Sequence, residues 1–337
     1  MAKPTIKNIA ELAGVSTATV SYVLNNNYSK VGEQTRNRIL DLISELDYKP
    51  SAIARGLNNG RSHMIGLIVP DISKSHFSVL VSGIEAAFNK ANYGILICNA
   101  YNSLTKEQEY YNRLSEKNVD GIIIAAGAIH GRYEDVDFDS SLIPLVMIDR
   151  YIEGLENQYG VYSDNYHGTY LGTKYLLEQG HTKIGCITGP LESANTTERI
   201  RGYRHALEEQ GVVAFEEWIY SGSHSLETGA TGLESMMKSN TPTAILAGGD
   251  LLAYGVYQAA RSLNISIPEE LSVIGIDDNI FSELITPKLS VLRPPLYKIG
   301  TKAATMLQQL IDNKKLRKRK IVYSPELVIR ESTRRLP

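Results

Sequence analysis

The sequence lacks the features of metal-binding, membrane-spanning and secreted proteins. It contains two cysteines among 337 residues, and it has no C-x-x-C or Cys/His spacing typical of a metal site. Cys98 and Cys186 both lie in apolar runs, which predicts buried, reduced thiols. No run approaches the ~18 apolar residues that cross a bilayer, and the first residues show no signal-peptide pattern. We therefore expect a cytoplasmic protein without a metal site.

Motifs of nucleotide-binding and hydrolytic enzymes are also absent. The chain has no G-x-x-x-x-G-K-[ST], no G-x-G-x-x-G after its first strand-like run and no G-x-S-x-G. These absences predict a protein that is not an enzyme and needs no cofactor. The formal net charge of −2 excludes a general polycation, so any contact with nucleic acid must come from local charge.

From residue 64 onward, short apolar runs alternate with amphipathic helical stretches. The runs lie at 64–70, 93–100, 119–125, 144–150, 183–189, 243–249 and 271–277. Strands that are apolar throughout are typical of parallel sheets covered on both faces by helices. The pattern restarts near residues 159–165. We therefore expect two α/β lobes, with a ligand cleft between them at the carboxyl ends of the strands.

The first fifty residues predict a helix-turn-helix. In "TIKNIAELAGVSTATVSYVLN", Thr5 and Ser16 are suited to begin helices and Gly14 is suited to end one. A third helix is predicted over 33–46. The valines of the second segment face inward, and its small outward side chains would let it enter a major groove ~12 Å wide. The alternative is a three-helix bundle that binds no DNA.

Longer motifs in this region resemble those of a known family. They are the A-x-x-A-G-V-S-x-x-T-V-S core, the T-R-x-x-I of the third helix, Y-x-P and A-x-x-L. With these motifs the chain resembles the lactose-repressor (LacI/GalR) family of bacterial transcription regulators. Within that family it is most similar to the catabolite-control, ribose and purine repressors, and the likeness continues to about residue 333.

The resemblance implies a multi-domain fold. It begins with a three-helix helix-turn-helix domain and a hinge helix, followed by two α/β lobes like those of type I periplasmic binding proteins. The expected boundaries are 1–50 for the DNA-binding domain, 51–63 for the hinge helix and linker, and 64–337 for the effector-binding and dimerisation domain. In the last of these, the N-lobe takes about 64–162 plus 293–324, and the C-lobe takes about 163–292 plus 325–337.

The resemblance also implies roles in DNA binding. Thr17, Ala18 and Tyr22 match positions that read bases, and Leu57 matches a leucine that wedges into the minor groove. Tyr22 departs from the Arg or His that many members have there, so the operator preference stays open. The full set of expected DNA-binding residues is Ser16, Thr17, Ala18, Thr19, Ser21, Tyr22, Asn25, Arg36, Ala54 and Leu57.

A second set of residues matches effector-binding positions of the family. The set is His76, Phe77, Asp149, Arg150, Asn195, Arg199, His224 and Asp277. Carboxylates and guanidinium groups satisfy several hydroxyls of a polyol, and an aromatic ring such as Phe77 covers the apolar face of a sugar. Helix capping is the alternative for Asp149 and Asp277, and an ordinary surface loop is the alternative for His224. For Asp250, capping is the favoured interpretation.

These observations predict a repressor of carbohydrate-utilisation genes. We expect a homodimer on palindromic operator DNA, controlled allosterically by a sugar or sugar phosphate. The alternatives are a purine-responsive regulator, a regulator that responds to a protein coregulator, a sugar-binding transport protein and an enzyme that uses the same cleft. The basic run "KKLRKRK" at 314–320 is expected to be a solvated loop.

Overall fold

The computed structural model describes residues 4–48, 61–127, 138, 143–150, 158–239 and 241–337. Contacts divide the chain into two compact units, Met1–His63 and Met64–Pro337. The expected hinge residues Ala54 and Leu57 lie outside the described residues. No helix in the described part of the chain is long and apolar enough to cross a membrane.

Three α-helices occur in the described part of the first unit: α1 (Ile6–Ala13), α2 (Thr17–Leu24) and α3 (Glu33–Glu45). The capping predictions are confirmed. The Thr5 side chain accepts a hydrogen bond from the Asn8 backbone N–H, and the Ser16 side chain accepts one from Thr19 at 3.2 Å. Gly14 ends α1 with a φ of 67°, a conformation that costs little only for glycine. The buried residues of the unit are Ile9, Ala10, Ala13, Val20, Val23 and Ile39.

Twelve strands occur in the described part of the second unit: β1 (Met64–Val69), β2 (Gly94–Asn99), β3 (Gly121–Ala125), β4 (Leu145–Asp149), β5 (Tyr159–Ser163), β6 (Ile184–Thr188), β7 (Ile219–Ser221), β8 (Ala244–Ala247), β9 (Ser272–Ile276), β10 (Ser290–Arg293), β11 (Lys320–Tyr323) and β12 (Glu326–Val328). Its helices are α4 (Ser75–Lys90), α5 (Leu104–Glu116), α6 (Asn165–Glu178), α7 (Ala194–Glu209), α8 (Leu226–Ser239), α9 (Asp250–Ser262) and α10 (Leu296–Ile311).

The strands form two six-stranded sheets with matching orders. The first sheet runs β11-β5-β4-β3-β1-β2 and the second runs β12-β10-β9-β8-β6-β7. Every pair is parallel except β10 with β12. Each order changes direction beside its first strand, β1 or β6, and such a switch point is where doubly wound sheets bind ligands. The chain passes between the sheets three times: after β5, after β10 and after β11.

All seven predicted apolar runs contain a strand, so the α/β prediction is confirmed. Five strands, β5, β7, β10, β11 and β12, were not among the seven runs. They have only three to five residues, and none of them lies in a longer apolar run that a sequence pattern identifies.

Two glycines allow α4 and α10 to pack closely on one face of the first sheet. A Cβ at Gly83 would lie 2.3 Å from the carbonyl oxygen of Tyr297, and one at Gly300 would lie 2.2 Å from the carbonyl oxygen of Leu80. Both obstacles are backbone atoms, which cannot rotate away. The positions of these two helices therefore depend on glycine at both sites.

Gly83→Ala tests this close packing. Helix propensity alone would stabilise the protein by about 1 kcal/mol, whereas overpacking against backbone costs about 1–3 kcal/mol. We expect the clash to dominate and the melting temperature to fall. The neighbouring exposed variant Ser82→Ala is the control and should melt close to wild type. A melting temperature of Gly83→Ala equal to or above wild type would contradict the packing argument.

Candidate nucleic-acid interface and candidate effector cleft

The outward face of α2 presents the side chains expected to read bases. Thr17, Ala18 and Tyr22 are exposed, whereas Val20 and Val23 are buried against the other helices. Small residues next to one aromatic ring leave room for the helix to approach base edges. The predicted division between an inward and an outward face is therefore present.

Cations stack on the aromatic rings of this unit. The Lys30 ammonium lies 4.8 Å from the centre of the Tyr22 ring, and the Arg36 guanidinium lies 5.1 Å from that of Tyr28. Each contact restricts a long side chain that would otherwise be free to rotate. Lys30 was not among the expected DNA-binding residues, because no local pattern links it to Tyr22.

Polar side chains along α2 hydrogen-bond to one another. The hydroxyls of Ser16 and Thr19 lie 2.9 Å apart, and the Asn25 amide donates to Ser21 at 3.3 Å. These bonds orient the hydroxyl and amide groups along the helix surface. Such groups commonly contact phosphates and fix the register of a helix on DNA without reading sequence.

In the second unit, a cavity of about 700 Å³ lies at the carboxyl ends of both sheets. This volume is typical of small-molecule sites. All eight expected effector-binding residues line the cavity: His76, Phe77, Asp149, Arg150, Asn195, Arg199, His224 and Asp277. No group of three His, Cys, Asp or Glu side chains suited to a metal ion occurs among the described residues.

Arg199 is fixed at the cavity wall by two hydrogen bonds. Its Nε donates to Asn165 Oδ1 at 2.9 Å, and its Nη1 donates to the Gly248 carbonyl at 2.6 Å. These bonds use Nε and Nη1 of the guanidinium, and Nη2 makes no hydrogen bond with another described residue. A guanidinium held in this way provides a preoriented donor for a ligand oxygen.

His224 lies against the cavity as a neutral imidazole. Burial and the positive charges of Arg199 and Lys74 lower its pKa to about 3. Gly189 makes room for the ring, because a Cβ there would lie 2.2 Å from His224 Nε2. The half-buried ring is a wall of the cavity, which disfavours the surface-loop alternative.

Two contacts join the lobes across the cavity. His76 Nδ1 lies 3.9 Å from Asp277 Oδ2, and the Asn279 amide donates to Ser75 Oγ at 3.4 Å. The short helical turn after β9 is capped by Asn279, whose Oδ1 accepts from the Phe281 N–H at 2.8 Å. Capping therefore does not explain Asp277, whose carboxylate is directed towards His76.

Three aspartates at the strand ends have left-handed backbone conformations. The φ angles are 69° at Asp149, 95° at Asp277 and 66° at Asp278. Such angles are strained for residues other than glycine, and clusters of them are typical of functional sites. Asp278 itself is held by Arg330 at 2.8 Å and Arg293 at 2.6 Å, so it acts as a structural carboxylate below the cavity.

The structure corrects the capping interpretation of Asp250. Its carboxylate does not cap α9 but accepts backbone N–H bonds from Asp278 at 3.2 Å and Asn279 at 3.1 Å. The side chain is 4% exposed. Burial, followed by repulsion from Asp277, raises its pKa to about 8. Asp250 therefore fixes the backbone of the loop that carries Asp277.

The aromatic surface of the cavity differs from the expectation. Phe77 is only 1% exposed and packs in the core of the first lobe, with its ring centre 4.1 Å from that of His76. Phe281, which was not predicted, lines the same cavity and is 57% exposed. Its position five residues after the end of β9 was the available signal. Tyr254 meets Phe281 edge to face at 6.5 Å.

Comparison with known proteins identifies the family. Residues 5–51 match the model of bacterial regulatory proteins of the lacI family, and residues 173–333 match a periplasmic binding protein-like domain. The transcriptional repressor PurR of Vibrio vulnificus is 33% identical over 334 residues, which cover 98% of this chain and 99% of PurR. The chain belongs to the lacI family. It is therefore a DNA-binding transcriptional regulator.

Two solved structures extend the comparison of this lacI-family regulator. A lac repressor dimer bound to operator and an anti-inducer has a TM-score of 0.88 at 23% identity, covering 99% of this chain and 100% of that one. This likeness shows a common fold. A ribose-bound family member from Enterococcus faecium has a TM-score of 0.71 at 29% identity, covering 81% of this chain and 100% of that one.

Asp250→Asn tests the buried carboxylate of this regulator. Because folding raises the pKa from the ordinary value of about 4 to about 8, the native protein retains a proton that the unfolded chain releases. The resulting stabilisation is present in acid and declines as the pH rises to about 8. The Asp250→Asn variant cannot titrate at this position. As the pH rises from about 4 to about 8, its free energy of unfolding should therefore increase relative to that of wild type.

Urea unfolding of both proteins at several pH values measures the difference. Hydrogen bonds that are lost in Asp250→Asn lower its free energy of unfolding equally at every pH. Only the slope of this free energy against pH is therefore informative. Parallel curves for the variant and wild type would contradict the raised pKa.

Proposed function

We propose that this regulator is a dimeric repressor whose operator affinity is set by a sugar or sugar phosphate in the cavity. The observation that supports this most is the convergence of Arg199, His224 and Asp277 on one wall. A fixed guanidinium, a neutral imidazole and a carboxylate supply both donors and acceptors. Vicinal hydroxyls need both, since each hydroxyl donates one hydrogen bond and accepts others.

A purine base is the second candidate effector. The 33% identity to PurR favours it, whereas the ribose-bound structure at 29% identity favours a sugar. A planar base gains most from aromatic rings on its faces. Phe77 is buried, and His76 has only a small imidazole ring. The cavity therefore offers little aromatic surface for stacking on a planar base, so we favour the sugar. Phe281 takes the proposed role of covering the apolar face of the ring.

We propose that the effector acts by fixing the two lobes relative to each other. His76 and Ser75 belong to the first lobe, whereas Asp277 and Asn279 belong to the second. A ligand that hydrogen-bonds to both sides replaces the weak contacts at 3.9 Å and 3.4 Å. A coupling free energy of about 1–3 kcal/mol between the cavity and DNA changes operator affinity about 5- to 150-fold.

Exposed apolar side chains support a homodimer. Leu96 and Ile97 are exposed on β2, the edge strand of the first sheet, and Val79 is exposed on α4 beside it. An unprotected apolar edge favours association in solution. A second copy is the proposed partner, since two helix-turn-helix units on a two-fold axis match a palindromic operator. A protein coregulator remains an alternative effector.

The proposed boundaries are those given above, with residues 51–63 as hinge and linker. Ala54 and Leu57 are the hinge residues proposed to contact the minor groove. An apolar wedge unstacks one base step and bends the duplex there. A hinge that becomes ordered only on DNA would let lobe orientation control binding.

Calorimetry with pentoses, hexoses, their phosphates and purine bases tests the effector class. We expect a sugar or sugar phosphate to bind, and Arg199→Lys to weaken that binding by at least about tenfold, because a charged hydrogen bond is lost. Arg201→Lys is the matched control on the same helix, since Arg201 pairs with Glu198 at the surface. Tight binding of a purine with no sugar response would reject the sugar proposal.

Operator selection from random duplexes tests the roles on α2 and α3. Tyr22→Ala should change the preferred base at one position in each half-site, because a base contact is worth about 1–3 kcal/mol. Arg36→Gln should weaken binding to every sequence about equally and lower the salt dependence by about one ion. Identical selected sequences for Tyr22→Ala and wild type would reject base reading by Tyr22.

A further inference from the structure

The segment Lys314–Lys320, which we call the basic loop, connects α10 to β11. Six of its seven residues are Lys or Arg, and all six are exposed. The seventh, Leu316, packs against the hydrophobic core of the first lobe. An apolar anchor in the middle of the loop holds the flanking cations at a defined place on the surface.

Strand pairing places the basic loop at the amino edge of the first sheet. β11 pairs in parallel with β5, with Lys320 opposite Gly160. Its start therefore lies at the same edge as Met64, the first residue of β1. Four strand spacings separate β11 from β1, which is roughly 19 Å. The chain arrives from the helix-turn-helix unit at this edge, and the effector cavity lies at the opposite edge.

Other cations lie at the same edge. Lys90 ends α4, Lys117 follows α5, and both are exposed. The described acidic residues there are few: Glu116, Asp120 and Asp312. Asp312 pairs with Lys314 at 3.4 Å. The edge is therefore strongly positive, although the formal net charge of the whole chain is −2.

We propose that the basic loop binds the phosphate backbone of DNA that flanks the operator. The proposal rests on DNA binding by the helix-turn-helix unit. The 15 residues 49–63 that precede β1 span at most about 50 Å even when fully extended, so DNA held by that unit stays within reach of this edge. Tethering raises the effective concentration of duplex at the loop, and exposed cations release counterions when they contact phosphates.

The test variant removes three charges from the loop: Lys315→Gln, Arg317→Gln and Lys318→Gln together. None of these three side chains has a hydrogen bond or ion pair with another described residue, and Leu316 is kept. Folding should therefore be unaffected, which equal melting temperatures would verify. The matched control combines Lys183→Gln, Lys238→Gln and Arg261→Gln. These three residues are exposed at the amino edge of the second sheet, away from the cavity.

The probes are duplexes that contain the operator selected by the wild-type full-length chain. A short duplex of about 20 base pairs carries the operator alone, and a long one adds flanks of about 12 base pairs, each about 40 Å long. Fluorescence anisotropy between about 50 and about 300 mM KCl gives affinity and salt dependence for each. Failure of the wild type to select any palindrome would refute DNA binding itself, which separates that outcome from failure of the loop proposal.

We expect wild type and the control to bind the long duplex more tightly than the short one. The loop variant should lose this gain, about tenfold near 100 mM KCl, and its salt slope on the long duplex should fall by about 2–5. Its affinity for the short duplex should stay within about twofold of wild type. Three outcomes would each overturn the proposal. The loop variant keeps the wild-type affinity and salt slope on the long duplex, the loop variant loses affinity equally on both duplexes, or the control shows the same loss as the loop variant.

Discussion

Parallel strand pairing decides where each functional group of the larger unit lies. In a parallel sheet every strand begins at one edge and ends at the other, so the loops at the two edges have different neighbours. In both sheets the carboxyl edge borders the cavity, and Asp149 and Asp277 lie there because β4 and β9 end there. In the first sheet the amino edge receives the chain from the helix-turn-helix unit and also holds the basic loop.

Carboxylates in the second lobe divide into supporting groups and groups that face the cavity. Asp250 accepts hydrogen bonds from two backbone N–H groups, and Asp278 pairs with two arginines. These bonds fix the loop after β9. Asp277, by contrast, is directed towards His76. Burial, followed by repulsion from Asp277, raises the pKa of Asp250 and so favours its protonated form, which limits the negative charge beside Asp277. The neutral His224 likewise adds no charge to the wall.

Local physics explains why much of this could be predicted from the sequence. Thr5, Gly14 and Ser16 act within one helical turn, so their roles follow from residue type and spacing alone. Apolar runs likewise predicted strands, because a short apolar run is itself a local pattern. The eight residues predicted for the effector site came from the family resemblance, and all of them line the cavity. Roles that depend on distant partners were missed, because no local pattern encodes them.

Asp250 and Phe281 illustrate those misses. Asp250 has the residue type and position of a helix cap, and only the tertiary approach of residues 278–279 gives it other partners. Phe77 was expected to stack on a ligand, but it lies on the buried face of α4 with Leu80 and Ile84, and Phe281 from the other lobe is exposed instead. For Asp250, contacts across 28 and 29 residues override the local preference.

The rigidity of β1 limits how the cavity and the DNA-binding unit can be coupled. β1 joins the two edges of the first sheet over six residues, about 20 Å, from Met64 to the loop that leads to His76. It is paired on both sides, with β2 and β3, and is buried along almost its whole length. A strand held in this way does not stretch or shift by itself. If the proposed effector binds at His76, it acts on the lobe as one body, and in the proposed dimer a rotation of that lobe would change the separation of the two DNA-binding units.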